Sequence, residues 1–168
     1  MKMKKMSFLL ALCLVLFPLT AAASDYKAWV PLLPDTLAGL SQSGKPDGIN
    51  METSGKKWSS LHQRYSADKG EKAIELTIVA GEGAPYLAQF QMMSSVKMET
   101  EDQIVKTVNV SGYKGLLNLE KREKSATLMI SLNEEMLVVI AAKAVKSEAE
   151  ALKLGEQLPL AKFAAQAK

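Results

Sequence analysis

The stretch Met136-Leu137-Val138-Val139-Ile140-Ala141-Ala142 decides the fold of this 168-residue chain. All seven residues are apolar, and no polar residue alternates with them. A strand that is apolar on both faces has to be covered on both faces. We therefore interpret this stretch as an interior strand of a sheet with a helix packed on one side. Ser147-Glu148-Ala149-Glu150 follows shortly after and has the form of a capping box, which opens a helix.

The segments before this strand alternate or are bounded by short polar turns, which is typical of antiparallel strands. The pattern predicts strands at 37–43, 58–66, 73–80, 104–110, 116–120 and 125–132. The second and third of these should form a hairpin, and the last three should form a meander with the opening stretch. The glycine-rich and polar region 44–57 is predicted to be a long loop, with one extended stretch around Ile49 to Thr53 as an alternative.

Two helices are predicted to cover this sheet. The middle one begins at Pro85 and ends near Val96. The C-terminal one begins after Ser147 and is kinked at Pro159, which cannot continue the hydrogen-bond ladder. The predicted fold class is α+β, with an antiparallel sheet of about six or seven strands covered by both helices.

The first 23 residues have the organisation of a secretory signal peptide. Lys2, Lys4 and Lys5 precede an apolar run over 8–19, and three alanines end at Ala23. We expect cleavage near Ala23, a single domain over 24–168, and a periplasmic or secreted location. The run is shorter than the roughly 20 residues that span a bilayer, so we expect no stable membrane span in the mature protein.

Removal of this leader changes both the net charge and the cysteine content of the chain. The chain has 21 basic and 18 acidic residues, and without the three leader lysines the count is 18 against 18. A neutral mature chain gives no electrostatic case for nucleic acid. The one cysteine, Cys13, lies in the leader, so the mature domain should hold no disulfide. Lipidation at Cys13 is an alternative, but Leu12 stands where a small residue is expected.

Catalytic and metal-binding patterns are sparse in this sequence. His62 is the one histidine, which excludes a zinc site of the usual His and Cys type in the mature chain. We predict no cofactor, no metal and no enzymatic activity. An enzyme would require convergence of side chains, and whether Tyr113, Lys114 and His62 meet is the geometric check.

The most apolar and adaptable surface is expected on the middle helix. Ligand-binding candidates there are Tyr86, Phe90, Met92 and Met93, with Phe163 from the C-terminal helix. The leading hypothesis is a non-catalytic exported protein that binds another cell-envelope component. The alternative is a carrier of a small apolar ligand, held between sheet and helices beside these residues.

Leu33-Pro34 near the start, the alternating strands, Gly112-Tyr113-Lys114-Gly115 and the capped C-terminal helix form a pattern that covers most of the chain. This pattern resembles small uncharacterised exported proteins of Gram-negative bacteria. Similar domains of a sheet and helices occur in periplasmic regulators and in photosystem extrinsic subunits. The resemblance implies an envelope location and transfers no catalytic residue.

Overall fold

The computed structural model describes residues 25–67 and 72–166, so the expected leader lies outside the described residues. Within these ranges the chain forms one antiparallel sheet of nine strands, two 3-10 segments and three helices. The 3-10 segments are Tyr26–Ala28 and Val30–Leu32. The strands are β1 Thr36–Leu37, β2 Leu40–Thr53, β3 Lys56–Ser66, β4 Ala73–Gly81, β5 Met98–Glu99, β6 Gln103–Val110, β7 Tyr113–Glu120, β8 Ser125–Asn133 and β9 Met136–Lys143; the helices are α1 Leu87–Met93, α2 Glu148–Glu156 and α3 Leu160–Ala165.

The sheet consists of two meanders that meet in its middle. Strands β1 to β4 form one, strands β5 to β9 form the other, and β4 pairs with β9. The fifth position of the nine therefore belongs to β9, the strand that the apolar stretch predicted as interior. Its Met136, Val138 and Ile140 are buried in one core cluster, and Leu137 and Val139 are buried in a second cluster on the other face. The α+β class and the interior position of this strand are confirmed.

The predicted number of six or seven strands is wrong, because the two-residue strands β1 and β5 were not predicted. The region predicted as a loop at 44–57 is also mostly strand, and it lengthens the first predicted strand. β2 runs to Thr53 and pairs with β3 beyond a register shift between Ser43 and Asp47. Its residues are mainly polar and exposed, so no hydrophobic period marks the strand. The two-residue strands β1 and β5 are too short to leave any periodic pattern in a sequence.

The α2 face of the sheet carries the larger core. Alternate residues of β4, such as Ile74, Leu76 and Ile78, point to this face and are at most 1% exposed. Helices α2 and α3 and the N-terminal 3-10 segments cover it, and Trp29 and Phe163 are fully buried there. The predicted break at Pro159 separates α2 from α3.

The opposite, α1 face is covered over only part of its area. Phe90 of α1 lies in a cluster with Val79, Leu137 and Val139 of the two central strands. The helix begins at Leu87 rather than at Pro85, since Tyr86 precedes it with a φ of 69°, outside the right-handed helical region. A helix of seven residues cannot reach across nine strands, so the β2–β3 side of this face stays open. None of the helices in the described ranges is long and apolar enough to cross a membrane.

Candidate functional sites

An exposed apolar patch lies on the open part of the α1 face. We call Ile49, Met51 and Trp58 the arm patch, because they belong to the β2–β3 hairpin, here called the arm. Met51 and Trp58 are cross-strand partners, and Ile49 lies two residues before Met51 on the same face of β2. Ile49 is 45% exposed and Met51 is 38% exposed, whereas Trp58 is half-buried against the α1 cluster. Apolar surface of this kind, bordered by polar groups, commonly marks an interaction site.

The other side of the arm is held by the N-terminal segment. The ring of Tyr26 lies so close to Gly48 that a Cβ there would be 2.1 Å from its Cδ2 atom. The side chain of Asn50 accepts hydrogen bonds from the Tyr26 amide and the Ser59 hydroxyl and donates one to Asp25, at 3.3, 2.7 and 2.9 Å. The backbone N–H of Lys27 and then Asn50 stabilise the Asp25 carboxylate, which lowers its pKa. One side of the arm is thus occupied and the other is free.

The charges at the end of the arm are paired with each other. The Lys56 Nζ atom lies 2.9 Å from a carboxylate oxygen of Glu82, and the Lys57 Nζ atom lies 3.5 Å from one of Glu52. Both pairs are exposed, so each contributes little to stability. These pairs leave the tip of the arm without an uncompensated charge, whereas Asp47, at the other end of the arm patch, has no ion-pair partner among the described residues.

A polar row crosses the same face next to the patch. Asp47, His62 and Thr77 are neighbours across β2, β3 and β4. The His62 Nδ1 atom and the Thr77 hydroxyl are hydrogen-bonded at 3.1 Å. In a catalytic triad a carboxylate orients one ring nitrogen and the hydroxyl lies at the other. Among the described residues the Asp47 carboxylate makes no hydrogen bond to this ring, so the three side chains are not arranged as a catalytic triad.

The geometric check for an enzyme gives a clear separation. His62 and Lys114 share the α1 face, but β3 and β7 are four strand spacings of about 4.8 Å apart, roughly 19 Å. Tyr113 points to the α2 face, where it packs against the larger core. The three side chains do not meet. Within the described ranges no group of three or more His, Cys, Asp or Glu side chains is placed to hold a metal ion. The absence of activity stays a prediction.

A second candidate site is a cavity of about 150 Å³ at the edge of the α2 face, which we call the α2 cavity. Its floor is apolar and is formed by Ile74, Ala142, Val145 and Leu154, each at most 6% exposed. The turn between β1 and β2, the residues at the start of β4 and the end of β9, and one side of α2 form its walls and rim. The remaining lining residues are Ala38, Lys72, Lys143, Ala144, Glu150, Lys153 and Gln157.

Local sequence explains why this space stays open. Ala38 and Gly39 form a tight two-residue turn in which both have positive φ, and the Ala38 amide donates a 2.9 Å hydrogen bond to the Gln157 side chain. Ala144, with a φ of 60°, directs the chain away from the end of β9. Ser147 caps α2 by accepting the Glu150 amide at 3.3 Å. Small side chains at 38, 142 and 144 thus lie where larger ones would fill the cavity.

The five predicted ligand-binding residues do not line one cavity. Phe90 is buried under α1, Met93 is partly buried there, and Tyr86 and Met92 are 44% and 77% exposed. Phe163 lies on the opposite face of the sheet, in the α2-face core. No single space between helices and sheet therefore adjoins all five, because α1 and α3 cover different faces. That any of them binds a ligand stays a prediction. A depression of about 340 Å³ does adjoin Phe90, but six of its eight lining residues are polar and none of the other four predicted residues lines it.

The sequence of α2 gives no signal for the α2 cavity. Ala151, Leu154 and Leu158 form the buried apolar side of the helix, whereas Glu150, Lys153 and Gln157 are exposed. This is the pattern of any amphipathic helix on a core. No protein-family model, curated protein or solved structure matches this chain.

Proposed function

We propose that this chain is an exported, non-catalytic protein that binds another protein of the cell envelope through the arm patch. The observation that carries the proposal is the exposure of Ile49 and Met51 beside Trp58 on the open side of the arm. The signal-peptide pattern supports the envelope location. The partner should present an apolar surface with a hydrogen-bond donor or a cation at one end, because the charges at the tip of the arm are already paired and Asp47 is not.

The composition of the patch supports a protein partner. Methionine and tryptophan are enriched at the centres of protein interfaces, and tryptophan often carries a large share of the binding energy. Full burial of an Ile or Met side chain stabilises a complex by roughly 1.5–3 kcal/mol. The N-terminal segment holds the arm from behind, so the patch is presented with little ordering to be done on binding.

Site-specific photo-crosslinking in the living cell tests this proposal. A photoreactive residue at position 51 should give a discrete adduct with one envelope protein. The same residue at position 43 is the matched control, because Ser43 lies on the same strand and face but outside the patch. No adduct from position 51, or the same adducts from both positions, would contradict the proposal.

A second candidate function is the carriage of a small ligand, favoured by the α2 cavity. Its apolar floor lies between the sheet and α2, the kind of place in which small molecules bind. The cavity differs in position from the one predicted from sequence, since none of the five predicted residues lines it.

A further inference from the structure

We infer that the α2 cavity binds a small amphipathic anion: an apolar group of about the size of a benzene ring that carries a carboxylate or similar acidic group. The inference rests on the second candidate function and assigns its ligand class. The volume of the cavity, its apolar floor and the charge of its lining residues each support it.

The volume limits the apolar part of the ligand. A cavity of about 150 Å³ lined by aliphatic side chains holds a benzene molecule in other proteins, and the α2 cavity has the same volume. Its floor residues Ile74, Val145 and Leu154 offer aliphatic contacts to such a group. A long acyl chain or a fused ring system would exceed the space.

The charge at the rim selects an acidic head group. Three lysines, Lys72, Lys143 and Lys153, line the cavity together with one glutamate, Glu150. One carboxylate oxygen of Glu150 already accepts the backbone N–H of Lys146 at 2.9 Å, as part of the start of α2. None of the five ion pairs in the described ranges includes Lys143 or Lys153. Lysine stems can lie along apolar walls while their ammonium groups reach the head group of a ligand.

A neighbouring depression shares Lys143 and Ala144 with the α2 cavity. Its other charged lining residues, Glu123 and Lys124, offset each other, so the net positive charge comes from the lining of the α2 cavity itself. A cationic rim above an apolar floor attracts anions and favours those whose apolar part can leave water.

Benzoate is a suitable probe, with benzyl alcohol and benzylamine as neutral and cationic controls of similar size. We expect benzoate to bind the exported protein with a Kd roughly in the millimolar range, as befits so small a ligand. Amide NMR shifts should change at Ala38, Val145 and Leu154. Benzoate should bind about tenfold more tightly than benzyl alcohol, and benzylamine should not bind.

Lys143→Gln and Lys153→Gln should each weaken benzoate binding roughly three- to tenfold. Lys97→Gln, in the exposed segment before β5, should have no effect.

Two results would overturn the inference, and only one of them would also refute the carrier function. Equal binding of benzoate and benzyl alcohol at these amides, unaffected by the lysine variants, would refute the anion preference and leave the carrier function standing. No shift at these amides with any probe would refute both. Neither result bears on the arm patch, which lies on the other face of the sheet.

Discussion

Replacement of Gly48 by alanine tests whether the Tyr26 ring of the N-terminal segment packs directly against the arm. A Cβ atom at this position would lie 2.1 and 2.4 Å from two carbons of the Tyr26 ring. Ordinary carbon contacts are about 3.5–4.0 Å, so the ring would have to retreat by about 1.5 Å. Such overpacking costs about 1–3 kcal/mol, and the lower entropy of an unfolded alanine offsets about 0.4–1 kcal/mol of it. We expect Gly48→Ala to lower the free energy of unfolding by about 1–2 kcal/mol.

Urea unfolding followed by the fluorescence of Trp29 and Trp58 measures this loss. The decisive control is a double-mutant cycle with Tyr26→Ala, which removes the ring. In that background Gly48→Ala should cost nothing or be slightly stabilising. If Gly48→Ala is as stable as the parent, or loses the same free energy with and without the Tyr26 ring, the ring of Tyr26 does not hold the arm at Gly48.

Three further perturbations test the fold around the two sites. Ser147→Ala should lower the stability by about 1 kcal/mol and the Tm by roughly 3 °C, since the Glu150 amide loses its acceptor; an unchanged Tm in circular dichroism would contradict the cap. Gly81→Ala should cost roughly 2–3 kcal/mol, because Gly81 has a φ of +107° and a Cβ would lie 2.3 Å from the Lys57 carbonyl oxygen; a variant as stable as the parent would contradict this. Burial raises the pKa of Tyr65 from 10.0 to about 12, so the unfolded phenol ionises first and stability should fall as pH rises from 10 to about 12. Urea midpoints against pH should show this fall in the parent and not in Tyr65→Phe; a parent without it would contradict the burial.

The elements with a strong apolar pattern could be predicted from the sequence. β9 is apolar on both faces, so its interior position follows from the need to cover both sides. The start of α2 at Ser147 follows from local capping chemistry. In both cases the information lies in consecutive residues, and no distant contact was needed to read it.

The part of β2 beyond Ser43 could be predicted only as an alternative to a loop, because its stability comes from distant partners. Its polar sequence reads as a loop, yet Gly48 packs against Tyr26 and Asn50 joins residues 24 and 9 positions away. Strand propensity is in large part a matter of such packing, which no local pattern contains. The same holds for both faces of the sheet, since Phe90 and Phe163 look equivalent in sequence and lie on opposite sides.

The candidate sites were hidden for the same reason. Ile49, Met51 and Trp58 become a patch only when β2 and β3 pair in the observed register. The α2 cavity brings together Ala38, Lys72 and Lys153, which are far apart in the chain. The polar residues of α2 gave no sign of the cavity, because exposed polar residues are expected on the outer side of any helix packed on a sheet.

Native mass spectrometry of the protein isolated gently from the cell envelope tests the central claim most directly. We expect a complex of this chain with a second protein to be observed. The double variant Ile49→Ser, Met51→Ser should keep its fold and lose this complex. Recovery of the chain alone from wild-type cells, or of a complex that the double variant leaves intact, would contradict the account.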